Sequence, residues 1–132
     1  MHFRILASPY GLRNYMRHHD KNRKLHRPKR QRVALLRSLA RSLVLEEGIV
    51  TTSAKAKALR PFVERLISYG KDNTLASNRM IISALGNSSA AAKLHQTIAP
   101  RYKDRRGGYT RIIRLGRIGK RVGEAARIEL VK

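Results

Sequence analysis

Two dense basic segments bracket the one stretch of this chain that can build a core, and that layout limits the fold more than any other feature. Residues 17–32 hold eight bases (Arg17, Lys21, Arg23, Lys24, Arg27, Lys29, Arg30 and Arg32) against one acid, Asp20. Residues 101–121 hold nine more, with Asp104 the only acid. Between them, residues 33–100 carry nine bases and four acids, the balance of an ordinary folded protein. A core that extends two cationic segments suits binding to phosphate backbones. Over all 132 residues the formal charge is +22, strong self-repulsion for a free globule, so a polyanion is the expected partner.

Composition removes several classes. There is no Cys, which excludes disulfides, thiolate chemistry and Cys-based zinc sites. No apolar run reaches the length of a membrane span, so no membrane partner is expected. Apolar residues make up 42 % of the chain, with no Trp and 5 % aromatics, which suits a modest aliphatic core in one domain. The first fifteen residues contain Arg4 and Arg13 but no acid and no long apolar stretch. They read as an uncleaved extension with a faint likeness to an organellar targeting segment, not as a secretory signal.

Periodicity supplies the elements. Pro28 suits a first helical turn, and Val33, Leu36, Leu39, Ala40, Leu43 and Val44 recur at helical spacing, with Arg37 and Arg41 opposite. A helix is expected over 28–47, ended by Gly48. Ile49–Thr52 reads as a strand. Thr52 or Ser53 caps a helix with the stripe Leu59, Phe62, Val63, Leu66 and Ile67, which Pro61 should kink or restart. Gly70, Asp72, Asn73 and Thr74 read as a turn before a helix at 75–85, with Leu75, Ile81, Ile82 and Leu85 as its apolar positions. A fourth helix runs from Asn87–Ser89 to Ala99 and is closed by Pro100. Residues 109–115 and 126–131 read as a basic β-hairpin with a glycine-rich connection. The expected fold is α/β: a compact two-layer domain of about four helices and a small three-stranded mixed sheet, with a basic extended N-terminal arm. Its parts are the extension 1–15, the arm 16–32 and a single domain 33–132 that carries a basic loop and hairpin at 101–124.

The chemistry argues against catalysis. The eight acids are scattered, and no two form an acid/base couple. Four of the five histidines (His2, His18, His19 and His26) lie in N-terminal or basic sequence, where a metal cation would be repelled, so neither metal nor cofactor is expected. GRIGKRVG at 116–123 has glycines and a lysine, but Arg121 stands where a nucleotide-binding loop needs Ser or Thr. The richest stretch is RYKDRRGGYTR at 101–111, where bases interleave with Tyr102 and Tyr109. Guanidinium groups there can reach phosphates while the rings stack on bases, although Tyr109 is equally able to point into the core. The bases sit in arms and loops more than on one helix stripe, which speaks for RNA and against groove reading of DNA. The candidate RNA contacts are Arg17, His18, Lys21, Arg23, Lys24, Arg27, Lys29, Arg30, Arg32, Arg37, Arg101, Tyr102, Arg105, Arg106, Tyr109, Arg111, Lys120 and Arg121.

These segments also resemble a family. MRHHDKNRKLHR (16–27), ALLRSLARSLV (34–44), GIVTTSAKAKALRPFVERLI (48–67), IAPRYKDRRGGYTRI (98–112) and ARIELV (126–131) are similar to the bacterial-type ribosomal protein seventeen of the large subunit, in its bacterial and organellar versions. Gln31–Arg32 departs from the His–Arg common there, and Glu124 replaces an Asp. The resemblance implies a structural, non-catalytic constituent that binds large-subunit rRNA near the exit tunnel, one copy per ribosome, beside neighbouring large-subunit proteins. It carries rRNA contacts onto Arg17, His18, Lys24, Arg27, Arg101, Arg105, Arg106 and Arg111. The extension before Met16, with LISYGKDNT (66–74), leans the compartment to a mitochondrial ribosome, with the bacterial cytoplasm as the alternative.

Overall fold

The computed structural model describes residues 23–120 and 123–132. Residues 1–15 and the first seven residues of the expected arm, 16–22, with Arg17, His18 and Lys21 among them, lie outside the described residues, as does Arg121. In chain order the elements are helix α1 (Lys29–Glu46), strand β1 (Gly48–Thr52), helix α2 (Ser53–Lys71), helix α3 (Leu75–Leu85) and helix α4 (Ser88–Lys93). Helix α4 passes through a π-turn (Leu94–Ile98) into a last short helix α5 (Ala99–Arg101), followed by strands β2 (Thr110–Gly116) and β3 (Ala125–Leu130). The helices pack on one face of the three-stranded sheet, as the α/β expectation requires.

The sheet has the order β1-β3-β2 and is antiparallel throughout, which corrects the expected mixed sheet. Alternation of apolar and polar residues is the same for either strand direction. What sets the direction is that β3 returns from the hairpin and enters between β1 and β2. Ile49, Ile128 and Ile112 lie side by side on the inner face, and Val50, Arg127 and Ile113 on the outer one. The period-2 side-chain rule therefore sends one row to the core and the next to the surface.

The core is aliphatic. Ala40, Leu43 and Val44 of α1 meet Ala56, Leu59, Val63 and Ile67 of α2, Ile81 and Leu85 of α3, Leu94 and Ile98 of the π-turn, and Ile128 of β3. Leu39 is only half-buried, one position off the seam that the spacing suggests. Leu75 and Ile82, expected inside, are exposed, because α3 turns Ser77, Ile81 and Leu85 inward.

Helix ends show where local chemistry dominated. Thr52 caps α2 through Lys55 N, and Asn87 caps α4 through Ala90 N at 2.9 Å. Thr74 and Ser77 form a reciprocal capping box at the start of α3, each side chain accepting from the other's backbone N–H at 3.1 Å. Other ends depart from expectation. Pro28 precedes α1 as its cap rather than lying inside it. Glu47, not Gly48, adopts the left-handed conformation that ends α1 (φ 59°), and Gly48 opens β1. A Cβ on Gly48 would lie 3.3 Å from Arg127 Nη2, the far end of a flexible side chain, and 3.4 Å from Glu129 Cβ, an ordinary van der Waals contact. Helix α2 runs unbroken through Pro61, which faces solvent, where water can satisfy the carbonyl that loses its donor. Pro100 does not close the fourth helix. The chain loosens to i→i+5 bonding ahead of it, with Ala99 N donating to Leu94 O, and continues to Arg101. Gly70 is likewise not a turn residue: it is buried within α2 against Leu94 and Ala99.

Candidate nucleic-acid interface

The N-terminal half of α1 projects past the core and forms a cationic groove. Lys29, Arg30, Arg37 and Arg41 line it, with Val33 and Ala34 at its base and no acid among its lining residues. Arg41 is half-buried, and its Nε is buried without a hydrogen-bond partner among the described residues. An unpaired buried donor costs about 1–3 kcal/mol, so an acceptor arriving from outside would relieve it. The sequence reading passed over Arg41. The signal was available, since Arg30, Arg37 and Arg41 fall on one side of a 3.6-residue repeat.

Arg23, Lys24 and Arg27 are exposed ahead of α1. Arg32 is half-buried and donates from Nη1 to the Arg27 carbonyl at 3.3 Å, which folds the end of the arm back onto the first turn of α1.

A second basic surface lies on the turn after α5. Lys103, Arg105 and Arg106 are exposed and have no carboxylate partner among the described residues. The turn is held from inside. Lys71 Nζ donates to the Arg105 carbonyl at 2.6 Å and sits 5.6 Å from the centre of the Tyr109 ring. Tyr109 donates its hydroxyl to the same carbonyl at 3.1 Å. Arg105 Nε reaches the Gly107 carbonyl at 3.2 Å.

Both tyrosines are therefore removed from the stacking role expected of them. Tyr102 and Tyr109 are buried, their ring centroids 5.2 Å apart and tilted by 50°, and the Tyr102 hydroxyl donates to the Val131 carbonyl. Burial pushes the Tyr102 phenol up from its ordinary range. The pair anchors the basic turn to the C-terminal end of the sheet, and its rings are unavailable to bases.

Two expected contacts are committed to ion pairs within the protein. Arg101 forms a two-point bridge to Glu47, Nη1 to Oε2 at 2.8 Å and Nη2 to Oε1 at 3.3 Å, with Lys93 3.7 Å away. The hydrogen bond from Arg101 holds the Glu47 carboxyl below the usual carboxylate range, and the same bond raises the guanidinium. Lys93 also donates to the Leu45 carbonyl, a cation at the C-terminus of α1. On the outer sheet face, Arg111 Nη2 and Arg127 Nε clasp Glu129 at 2.7 and 3.1 Å. The hydrogen bond from Arg111 holds that carboxyl low as well. Arg101 and Arg111 thus secure the fold first. Arg114, Arg117 and Lys120 on the hairpin are exposed and unpaired among the described residues.

No group of three His, Cys, Asp or Glu is placed to hold a metal among the described residues. Glu64 accepts from Thr110 Oγ1 at 3.0 Å and from Arg60 Nε at 3.3 Å, a bridge between α2 and β2.

The ribosomal protein L17 family matches residues 35–131, most of the chain. The chain belongs to the ribosomal protein L17 family. Similar proteins include the large ribosomal subunit protein bL17 of a Hydrogenobaculum species, 47 % identical over 117 residues, which is 89 % of this chain and 98 % of that one. The bL17 of Trichlorobacter lovleyi is 44 % identical over 117 residues, 89 % and 92 % of the two chains. That of a Sulfurihydrogenibium species is 48 % identical over 119 residues, 89 % and 98 %. The family reached from the sequence segments is the one found, and as an L17 member the chain is a structural constituent of the ribosome, not an enzyme. These relatives are bacterial, so the lean to a mitochondrial ribosome loses its support and the bacterial alternative is the compatible one.

Proposed function

We propose that this L17-family chain binds and stabilises large-subunit rRNA near the exit-tunnel surface of a bacterial ribosome, one copy per subunit, beside neighbouring large-subunit proteins. The observation that carries the RNA part is the acid-free groove of α1, in which four cations line one side of a rigid helix. A helix fixes the spacing of its charges before the RNA arrives, so less conformational freedom is lost on binding than from a loop. Arg23, Lys24 and Arg27 extend the groove, and Arg105, Arg106, Arg114, Arg117 and Lys120 form the second contact. Phosphate contacts of this kind position the RNA and carry no base code, which suits a structural role.

The test is binding to large-subunit rRNA fragments as a function of salt. Each phosphate neutralised contributes about 0.7 to 0.9 to the log–log slope. Replacing Arg37 and Arg41 by Gln should flatten the slope by about 1.4–1.8 if each meets one phosphate. The Arg105–Arg106 double replacement should do the same. An unchanged slope in the first variant removes α1 from the interface, and in the second removes the turn. In a gradient of the cell's own ribosomes the wild-type chain should follow the large subunit at one copy each. Recovery free or on DNA would favour a nucleic-acid-binding regulator instead.

A further inference from the structure

Among the described residues, Leu25, His26, Glu47 and Asn73 hold a left-handed backbone without being glycine. Two of these have a ready account. Glu47 ends α1 and is gripped by Arg101, and Asn tolerates this conformation. Leu25 (φ 52°) and His26 (φ 50°) are consecutive, and the Arg27 N–H donates to the Lys24 carbonyl at 3.1 Å, so Lys24–Arg27 is a turn of the I′ kind. Such a turn calls for Asn-Gly or Gly-Gly at its centre, because a Cβ disfavours the left-handed backbone by roughly 5–30-fold per residue. His tolerates it better than most residues, whereas the bulkier Leu is an outlier. The turn also crowds charge. It brings the Lys24 and Arg27 Cα atoms within about 7 Å of each other, and Arg32 joins them by donating from Nη1 to the Arg27 carbonyl. No Asp or Glu occurs from residue 23 to residue 45, and none of the three cations has a carboxylate partner among the described residues. Leu25 is half-buried, while Lys24, His26 and Arg27 are exposed.

We infer that Lys24–Arg27 is an RNA-binding turn whose left-handed shape is held by the phosphates it gathers, with Leu25 and His26 as its positioning residues. This rests on the ribosomal reading and adds a backbone shape to what was a matter of charge alone. A strained turn persists only where its surroundings offset the strain. Within the described residues two hydrogen bonds and the half-buried Leu25 stand against two left-handed residues and three crowded cations. A phosphate seated among Lys24, Arg27 and Arg32 turns their mutual repulsion into attraction and accepts charge-assisted hydrogen bonds from them. A protein neighbour would have to supply a cluster of carboxylates to do the same, whereas an RNA strand carries an anion at every nucleotide. In the free chain the turn is then one of several conformations of this segment, and affinity is lowered by the fraction of chains without it.

The test compares two full-length variants, one with Leu25→Gly and His26→Gly, the other with Leu25→Ala and His26→Ala. Both lose every side-chain atom beyond Cβ, so any contact made by the leucine or the imidazole is lost equally. They differ only in two methyl groups at left-handed positions. Each is titrated with purified large-subunit rRNA across a range of salt. The glycine pair should bind at least fivefold more tightly than the alanine pair, with the same log–log slope because the phosphates met are unchanged. Equal affinities, or tighter binding by the alanine pair, overturn the inference, since the RNA then makes no use of the left-handed backbone. Urea unfolding of the free chains is the second readout, and the two variants should share one midpoint. A glycine pair more stable by the same factor would show that the protein itself holds the turn, which also overturns the inference. Equal RNA affinity with unequal entry into large subunits would seat the turn on a protein neighbour, with the same consequence. All of these outcomes leave the ribosomal reading standing, whereas failure of the unsubstituted chain to bind the rRNA defeats both.

Discussion

Gly70 offers a sharp test of the packing, because two well-known effects predict opposite signs for Gly70→Ala. Within a helix, Ala is favoured over Gly by about 1 kcal/mol, so substitution in α2 should stabilise on propensity alone. Yet a Cβ there would lie 2.9 Å from Ala99 Cβ and 2.9 Å from Leu94 Cδ2. Carbon pairs sit best at about 3.5–4.0 Å, so both contacts overlap by roughly 0.6–1.1 Å. Ala99 follows the π-turn on the buried side of the chain, and neither neighbour is the far end of a flexible surface side chain. Overpacking of this kind costs about 1–3 kcal/mol. Set against the helix-propensity gain, the steric cost leaves a net expectation of a loss of up to about 2 kcal/mol, centred near about 1 kcal/mol. Urea unfolding followed by far-UV circular dichroism measures it, and heating should show a fall in Tm of about 4–8 °C per kcal/mol. In the Gly70→Ala background, Ala99→Gly removes one of the two clashing methyls. It should cost less there than in the wild type, a coupling of about 0.5 kcal/mol or more. A Gly70→Ala chain more stable than the wild type, as propensity alone demands, or additive behaviour in the double variant, would refute the close approach of α2 to the π-turn.

Two further outcomes are expected. Leu43→Ala should lose about 2–5 kcal/mol, since Leu43 is fully buried, whereas half-buried Leu39→Ala should lose clearly less; equal losses in denaturant titration would place the α1 seam elsewhere. For pH, Glu47 has a folded-state pKa below its unfolded value, so its contribution is present above the unfolded pKa and is lost as pH falls through the folded one. Glu47→Gln should therefore be less stable than wild type near pH 7 and should converge on it under acid conditions, and a constant gap down to acid pH would contradict the Arg101–Glu47 bridge.

Several features were legible in the chain because they are local. Thr74 and Asn87 sit where the sequence places the starts of α3 and α4, and each caps with its own side chain a backbone N–H three residues on. Helix existence followed from apolar spacing, and the basic segments from simple counting. The failures share a cause. Leu75 and Ile82 have the chemistry of core residues, and only the rotation of α3 on its neighbours leaves them outside. Gly70 looks like a turn residue until Leu94 and Ala99 are brought against it. The tyrosines 102 and 109 carry both a stacking ring and a hydroxyl, and their burial was settled by the carbonyls of Val131 and Arg105, one of them 29 residues from its donor.

The same division holds for the candidate interface. Charge density is a property of the sequence, and it alone made a polyanion the expected partner. The sequence segments likewise carried the family. Which cations remain free is a tertiary property. Arg101 and Arg111 meet Glu47 and Glu129, 54 and 18 residues away, while Arg37 and Arg41 meet no acid in their groove. Long-range pairing of this sort depends on where α5 and β3 come to rest, and no local pattern encodes it. The sequence by itself therefore determined that the chain is cationic, helical through its middle and closed by a hairpin. Only the folded arrangement sorted its arginines into those that hold the protein together and those left for a partner, because a charge is neutralised by what lies within a few ångströms in space, however distant along the chain.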